Sequence, residues 1–447
     1  MAGKNHYDIV IVGAGPAGLM AAIAASEAGA RTLVIDKGNK PGRKLGISGG
    51  GRCNVTNAAD LDTLIRHLPG NGRFLYSALS RFGSREIIAF FEGLGIRLKE
   101  EDRGRMFPVT DKAKTVVDAL VAEVKRRGAE LRLQTPVRRI LYENGAAVGV
   151  ELTTDEVIRS RAVILATGGK SVPQTGSTGD GYPWAKQAGH TVTELFPTEV
   201  PLLSEEPYIK SRELQGLSLR DVGLTVWNGK GKPAITHVGD LLFTHFGLSG
   251  PIALRCSQFV VKELRGSRKA ESGRTSPNEG AGEASGSTPS VRLTLDLFPN
   301  KTRDEVNREF LKLSEAEPKK AIKNVLRGSL PERLIPLLLG QTGLAGDTTY
   351  ANLPRQTLSD LATLAKAFPI AVTGTLSLEE AFVTGGGIHL KEINPSTMES
   401  KLTAGLYFCG EILDVHGYTG GYNITAAFSS GFAAGSAAAE RSCEDRT

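Results

Sequence analysis

The segment Gly13-Ala14-Gly15-Pro16-Ala17-Gly18 constrains this chain more than any other feature. It is a G-x-G-x-x-G sequence set between two structural signals. Ahead of it, Tyr7–Val12 is short, apolar and rich in Val and Ile, which predicts a buried strand. Behind it, Pro16–Ala28 is a run of small residues with Pro in the first turn and Gly29 at the end, which predicts a helix. Arg31–Ile35 predicts the next strand. In such a β-α-β unit the first glycine permits a tight turn, the second lets a pyrophosphate approach the backbone, and the third lets helix and strand pack closely. Pro16 and Ala17 open the helix, whose N-terminus offers free N–H groups and a partial positive charge to the phosphates. Asp36 and Lys37 close the second strand, about 20 residues beyond the first glycine. An acid there accepts hydrogen bonds from ribose hydroxyls and repels a 2′-phosphate, so the expected ligand is FAD or NAD rather than NADP.

The chain has 447 residues, which at roughly 150 per domain predicts about three domains. Cys53, Cys256, Cys409 and Cys443 are too few and too scattered for a disulfide framework, and none forms a metal-binding cluster. No metal site is expected, and the cysteine usage suits a reducing compartment. The net charge is +6, from 54 basic and 48 acidic residues. Basic clusters such as Lys125-Arg126-Arg127 and Arg138-Arg139 alternate with acids and carry no aromatic interleaving, so they read as solvated faces and no stable nucleic-acid partner is expected. No apolar run of about 18 residues predicts a membrane span, and the expected location is cytoplasmic.

Two later strands decide between FAD and NAD. One ends in Leu165-Ala166-Thr167-Gly168-Gly169, and the other is Leu406-Tyr407-Phe408-Cys409-Gly410-Glu411. Both resemble signatures of FAD proteins with the glutathione-reductase fold. There the first turn lies near the dinucleotide and the Gly-acid step touches the ribityl-phosphate region. The usual acid is Asp; here Glu411 follows the glycine and Asp414 stands three residues on, and either is a candidate. Two glycine-rich blocks add to these. The first runs from Gly42 to Asn57 and includes Arg43, Lys44, Ser48, Gly49, Gly50, Arg52, Cys53 and Asn54. The second runs from Gly410 to Asn423, with Gly421, Tyr422 and Asn423 opening the last helix. Glycine runs allow backbone to press against a flat ring or an anion. The N–H groups from Tyr422 to Ile424 are placed to stabilise negative charge on a reduced flavin. Arg43, Lys44 and Arg52 are candidates to hold cofactor anions, and Cys53 reads as a small residue in a tight turn.

Taken together, Gly13–Gly18, Ser48–Asn57, Thr167–Tyr182, Phe243–Pro251, Thr384–Ile388 and Gly410–Asn423 resemble the BaiN-like, or YhiN-type, bacterial FAD flavoproteins, often called NAD(P)/FAD-dependent oxidoreductases. The resemblance spans nearly the whole chain and adds Gly386 and Gly387 to the candidate cofactor residues. It implies an α/β fold: a Rossmann-like, glutathione-reductase-type FAD domain with an inserted β-barrel domain and a small helical domain. That agrees with the texture of the chain. The FAD domain takes residues 1–196 and 377–447. The β-rich insert takes 197–300 and a return strand at 369–376, with helical patterning over 301–368. Residues 265–290 are rich in Gly, Ser and Glu and predict a disordered excursion. A loop is expected at Glu100–Thr110 between two amphipathic helices. Thr425 stands where the family's usual motif has Gln.

There is no second G-x-G-x-x-G and no paired cysteine for a dithiol relay. Electrons then come from a substrate or from NAD(P)H visiting the flavin transiently. No His or Cys stands in an attachment motif, so the FAD is expected to be non-covalent. His245 and His416 lie in motif blocks and are the candidate acid/base groups, with Tyr182, Tyr418 and Tyr422 as hydroxyl candidates. The first expectation is an NAD(P)H-dependent reductase of a small organic substrate such as an electron-poor alkene. The alternatives are a flavin oxidase of small amines and a tRNA-modifying flavoprotein.

Overall fold

The computed structural model describes residues 6–272 and 289–444. Strand β1, His6–Val12, is buried on both faces apart from its first residue, as a central parallel strand must be. It pairs in parallel with β2, Thr32–Ile35, on one side and with Val157–Leu165 on the other. Between β1 and β2 runs helix α1, Pro16–Glu27. The sheet continues past β2 to Glu130–Arg132, and past Val157–Leu165 to the antiparallel strands Ala146–Leu152 and Val137–Glu143. Leu406–Phe408 adds in parallel to the C-terminal half of Val157–Leu165.

Helix α1 is buried along nine consecutive residues, Ala17 to Ala25, and so lacks the polar face of a surface helix. Its partner is the last helix, Tyr422–Glu444. A Cβ at Gly431 would run into the Ala17 carbonyl, and one at Gly435 into that of Ala21. The small residues read from the sequence are therefore what lets the two backbones touch.

The expected loop at Glu100–Thr110 is instead mostly an antiparallel hairpin, Leu98–Glu101 with Arg105–Pro108, extended by Thr56–Asn57. The run of charges from Lys99 to Arg103 hides its strand character. Those charges are used across the hairpin: Lys99 and Arg52 share Glu101 and Asp111.

The chain divides into two compact units, residues 1–196 with 378–447, and residues 197–377. In the second, the strands Leu202–Leu203, Ser218–Trp227, Pro233–Phe243, Gly247–Ser249, Val291–Asp296, Phe368–Val372 and Gly374–Thr375 form one sheet. Its path closes, because Phe368–Val372 pairs with Val291–Asp296 while Gly374–Thr375, two residues on, pairs with Leu202–Leu203. Helices Arg303–Ala316, Ile322–Val325, Ile335–Gln341 and Arg355–Lys366 share its core through residues such as Phe310, Leu338 and Leu361. Thr302 and Glu305 form a reciprocal cap at the start of the first of these.

The excursion expected over 265–290 needs correction at its start. Helix Pro251–Ser272 runs through residues 265–272. Leu264 is its last described core contact, and the following Arg, Lys, Ala and Glu are good helix formers, so elongation continues past the core. Residues 273–288 lie outside the described part. Among the described residues no helix is long and apolar enough to cross a membrane.

Candidate functional site

Val12, Ile35, Leu165 and Phe408 stand in register at one edge of the sheet. The turn Gly13–Gly18, the acid Asp36, the turn Ala166–Gly169 and the step Gly410–Glu411 all emerge there, in the crevice where open α/β sheets bind ligands. Gly13 has φ +111°, and a Cβ on it would strike the Ala166 carbonyl. A Cβ on Gly18 would strike the Gly13 carbonyl, whereas at Gly15 nothing lies within 4 Å. The outer glycines are thus dictated by packing, and the middle one faces open space at the N-terminus of α1, where Pro16 and Ala17 begin the helix.

Asp36 already accepts two backbone hydrogen bonds, from Ala14 N–H at 2.7 Å and Gly38 N–H at 2.6 Å. It pins the glycine turn to β2 and keeps lone pairs for a further donor. Lys37 pairs with Asp180 and Thr178. The Arg43 guanidinium lies against Gly38 and Gly176, where a Cβ would collide with it. Lys37, Gly38, Arg43, Gly176 and Thr178 line a cleft of about 630 Å³ together with Asn39, Gln134 and Pro136.

In the first glycine-rich block, Gly49, Gly50 and Gly51 have φ of +57°, +69° and +83°. A Cβ would find open space at Gly50 and Gly51, while Gly49 packs on the Phe107 ring and Asn54. Ser48 Oγ donates to the Leu45 carbonyl at 2.7 Å, and Asn54 Oδ1 accepts from Met106 N–H at 3.1 Å. Cys53 is buried in the left-handed region, and burial pushes its thiol up to about 12, so it is no thiolate at neutral pH. Arg52, a candidate anion holder, is already engaged. It makes a two-pronged contact with Glu101 at 2.8 and 3.0 Å and lies 4.1 Å over the Phe107 ring.

The second block is bonded to the first. Thr425 Oγ1 lies 2.7 Å from Thr56 Oγ1 and donates to the Gly421 carbonyl at 2.9 Å. Gly421, at φ +100°, has no room for a Cβ beside Thr56. Asn423 bonds back to Gly417 N–H and O, each at 2.8 Å, and Tyr422 stacks on His67 with centroids 4.5 Å apart. Asn423 and Tyr422 therefore shape the loop, while the first-turn N–H groups of Tyr422–Glu444 precede its first internal bond, Thr425 N–H to Gly421 O.

Glu411 is committed to the protein. Its carboxylate takes the Lys44 ammonium at 2.6 Å, the Thr384 N–H at 2.8 Å and the Ser171 hydroxyl at 3.0 Å. Burial works to raise its pKa, but the Lys44 charge and these donors outweigh it and hold the carboxyl below its usual range. Ser171 and Thr384 lie in the segments Thr167–Tyr182 and Thr384–Ile388 that carry the resemblance but are not among the candidate site residues; Thr384 also accepts from the N–H groups of Lys170 and Ser171. Asp414 is half-buried, and its carbonyl accepts from Asn71 at 2.9 Å. Gly386 and Gly387 pack against the backbone at Glu194 and Ile412, which assigns them to the fold. Gly168 is at φ +74°, Gly169 abuts Thr384, and Gly410, at φ +77°, abuts Ala17.

Two hydroxyls beside these turns, Thr167 Oγ1 and Tyr182 Oη, are buried without a hydrogen-bond partner among the described residues. Burial, with the Glu411 and Asp414 charges nearby, drives the Tyr182 phenol upward, so it keeps its proton and is a donor. His416 is buried; it exchanges backbone bonds with Gly70 at 3.0 and 3.1 Å, and its ring leaves no space for a Cβ there. His245 is carried by the other unit, exposed, with its ring edge-on to Phe246.

The site's residues fit a dinucleotide such as FAD. An open glycine at a helix N-terminus meets a pyrophosphate, Asp36 has acceptor capacity for a ribose, the cleft holds Lys37 and Arg43, and two buried hydroxyls await partners. The HI0933-like protein Rossmann domain matches residues 7–437. The chain belongs to that HI0933-like family. It is 32% identical over 432 residues to the ribosomal RNA dihydrouridine synthase of Haemophilus influenzae, covering 96% of this chain and 98% of that one. It is 29% identical over 436 residues to the 3-dehydro-bile acid delta(4,6)-reductase of Clostridium scindens, covering 97% and 99%. Among solved structures, 3-ketosteroid delta1-dehydrogenase from Sterolibacterium denitrificans aligns with a TM-score of 0.53 at 14% identity, covering 98% of this chain and all of that one. This last likeness is one of fold. The HI0933-like chain thus has a Rossmann-like α/β architecture, as its sequence motifs led one to expect.

Proposed function

We propose that this chain is an FAD-dependent reductase that saturates a carbon–carbon double bond conjugated to a carbonyl, with the uracil ring of ribosomal RNA as its first substrate class. The observations that carry the reading are the open Gly15 at the N-terminus of α1 and the bond from Thr56 to Thr425, which ties the glycine-rich block Gly42–Asn57 to the first turn of Tyr422–Glu444. The two full-length relatives support the bond chemistry, because uracil and a steroid enone both present an alkene polarised by a carbonyl. The relative named for ribosomal RNA, at 32% identity beside 29%, supports taking uracil as the first substrate class to test.

When bound, FAD supplies hydride transfer. The chain's part is to hold and polarise it. The N-terminus of Tyr422–Glu444 would offset negative charge on the bound flavin. Lys37 and Arg43, which line the cleft, would hold the anionic part of the cofactor. Cys53 and Cys409 are buried, protonated thiols, which favours a non-covalent cofactor. With one G-x-G-x-x-G, the electron donor is NAD(P)H bound transiently. His416, buried beside the loop that leads into the last helix, is the candidate for delivering the proton that accompanies the hydride.

The test is an anaerobic titration with NADH and NADPH while the flavin absorbance is followed, then incubation with ribosomal RNA transcripts and nuclease mass spectrometry. Bleaching by either nucleotide, and a uridine that gains two hydrogen atoms, is the expected result. A flavin band that persists with both nucleotides overturns the reading.

A further inference from the structure

The arginines of the basic clusters most visible in the sequence are ion-paired in the fold. Arg126 and Arg127 pair with Glu123, and Arg138 and Arg139 pair with Glu151. A different set is not. The 3₁₀ turn Gly72–Leu75 and the helix Tyr76–Arg81 follow one another, and the next helix is Ser84–Gly93. Arg73, Tyr76 and Ser80 are exposed at spacings of three and four, which puts them on one face, while Arg81 is exposed at the end of the helix and Arg85 in the first turn of the next. Tyr76 is 57% exposed, the most exposed large apolar or aromatic side chain among the described residues. Arg73, Arg81 and Arg85 form no ion pair with any described residue. Glu86, the acid beside Arg85, is turned back onto the Gly83 N–H at 2.9 Å.

This face is fixed to the candidate site within one unit. Phe82 stacks on Phe432 with centroids 4.5 Å apart, and its carbonyl accepts from Ser429 Oγ at 2.6 Å, so the segment is clamped to the last helix. Two residues before Arg73, Asn71 donates to the Asp414 carbonyl, and Gly70 bridges His416. A partner lying along Arg73–Arg85 is therefore held in register with the loop 414–421 that leads into the last helix.

We propose that Arg73, Tyr76, Arg81 and Arg85 form a docking surface for single-stranded RNA beside the target base. The guanidiniums take backbone phosphates and the Tyr76 ring stacks on an unpaired base. This deepens the RNA branch of the proposed function and rests on it. Unpaired arginines around an exposed ring match a polyanion that carries flat bases. The clusters that led the sequence reading away from RNA are the paired ones, while this aromatic-interleaved set is dispersed over thirteen positions and becomes a surface only in the helices.

The experiment measures binding of labelled oligouridylate to the FAD-loaded protein over a salt series. It compares wild type, the triple variant Arg73→Gln/Arg81→Gln/Arg85→Gln, and Tyr76→Ala. The triple variant should bind at least about tenfold more weakly and flatten the slope of log affinity against log salt by roughly 2, about 0.7 per lost phosphate contact. Tyr76→Ala should weaken binding roughly five- to a hundredfold while leaving the slope unchanged. Flavin content and bleaching by NAD(P)H should match wild type in both. Equal binding by wild type and the triple variant overturns the surface. Tighter binding of phosphatidylserine vesicles than of oligouridylate, lost in the same variant, overturns it in favour of a lipid. If wild type bleaches with NAD(P)H but binds no RNA, surface and RNA branch fall together and the reductase reading stands. If it binds RNA through these residues but does not bleach, the surface stands and the reductase reading falls.

Discussion

Glu411 serves three donors at once and joins segments that lie far apart in the chain, at Lys44, Ser171 and Thr384. Glu411→Gln keeps the shape but leaves the Lys44 ammonium without its counter-charge, and should cost about 2–3 kcal/mol, read as a lowered urea midpoint. Thr425 shows the same economy. The family resemblance sets it apart as standing where the usual motif has Gln, and the structure directs its hydroxyl to Thr56 and Gly421. Thr425→Val should therefore destabilise by roughly 1–2 kcal/mol while leaving the flavin spectrum unchanged. His190 is a third case: it is buried between Glu392 and Ser400, and burial lowers its pKa. The unfolded chain takes up that proton near pH 6.5 and the folded chain resists it. Its contribution is whole above about pH 6.5 and is lost as pH falls through the interval down to the folded value. Thermal midpoints between about pH 8 and pH 5 should fall more steeply for wild type than for His190→Gln.

At the scale of elements, local pattern predicts what local physics decides. The strand β1, the helix α1 and the last helix are legible because apolar runs, a leading Pro and small-residue periodicity each act within a few residues. The hairpin Leu98–Pro108 is not, because its charges are satisfied by Arg52 and Asp111, partners outside the run. The same distance hides the commitment of Arg52: a sequence shows an arginine in a glycine-rich block, but not the Glu101 carboxylate and Phe107 ring that hold it. The motif glycines are the opposite case: the motif gives Gly13 a turn, Gly15 an approach and Gly18 close packing, and the structure has backbone contacts enforcing Gly13 and Gly18 and open space at Gly15. The contact between α1 and the last helix supplies a test at this scale. Gly431→Ala places a methyl against the Ala17 carbonyl and should lower the thermal midpoint by several degrees, equivalent to about 1–3 kcal/mol, with loss of bound flavin.

Across the whole molecule, residues 197–377 have a closed strand path and a core of their own. A fragment of that range should fold alone and melt cooperatively in circular dichroism, and a gradual, non-cooperative melt would show that it depends on the remaining chain. Residues 1–196 are in the opposite position. Their first helix is completed by Gly431 and Gly435, near the other end of the sequence. A chain emerging from the ribosome at about 5–20 residues per second makes α1 roughly 20–80 s before it makes that partner. Throughout this interval the glycine turn is present but its backing is not. Flavin capture is thereby tied to synthesis of the helix Tyr422–Glu444, and a message truncated before that helix yields a colourless protein whose earlier half is correct in every residue.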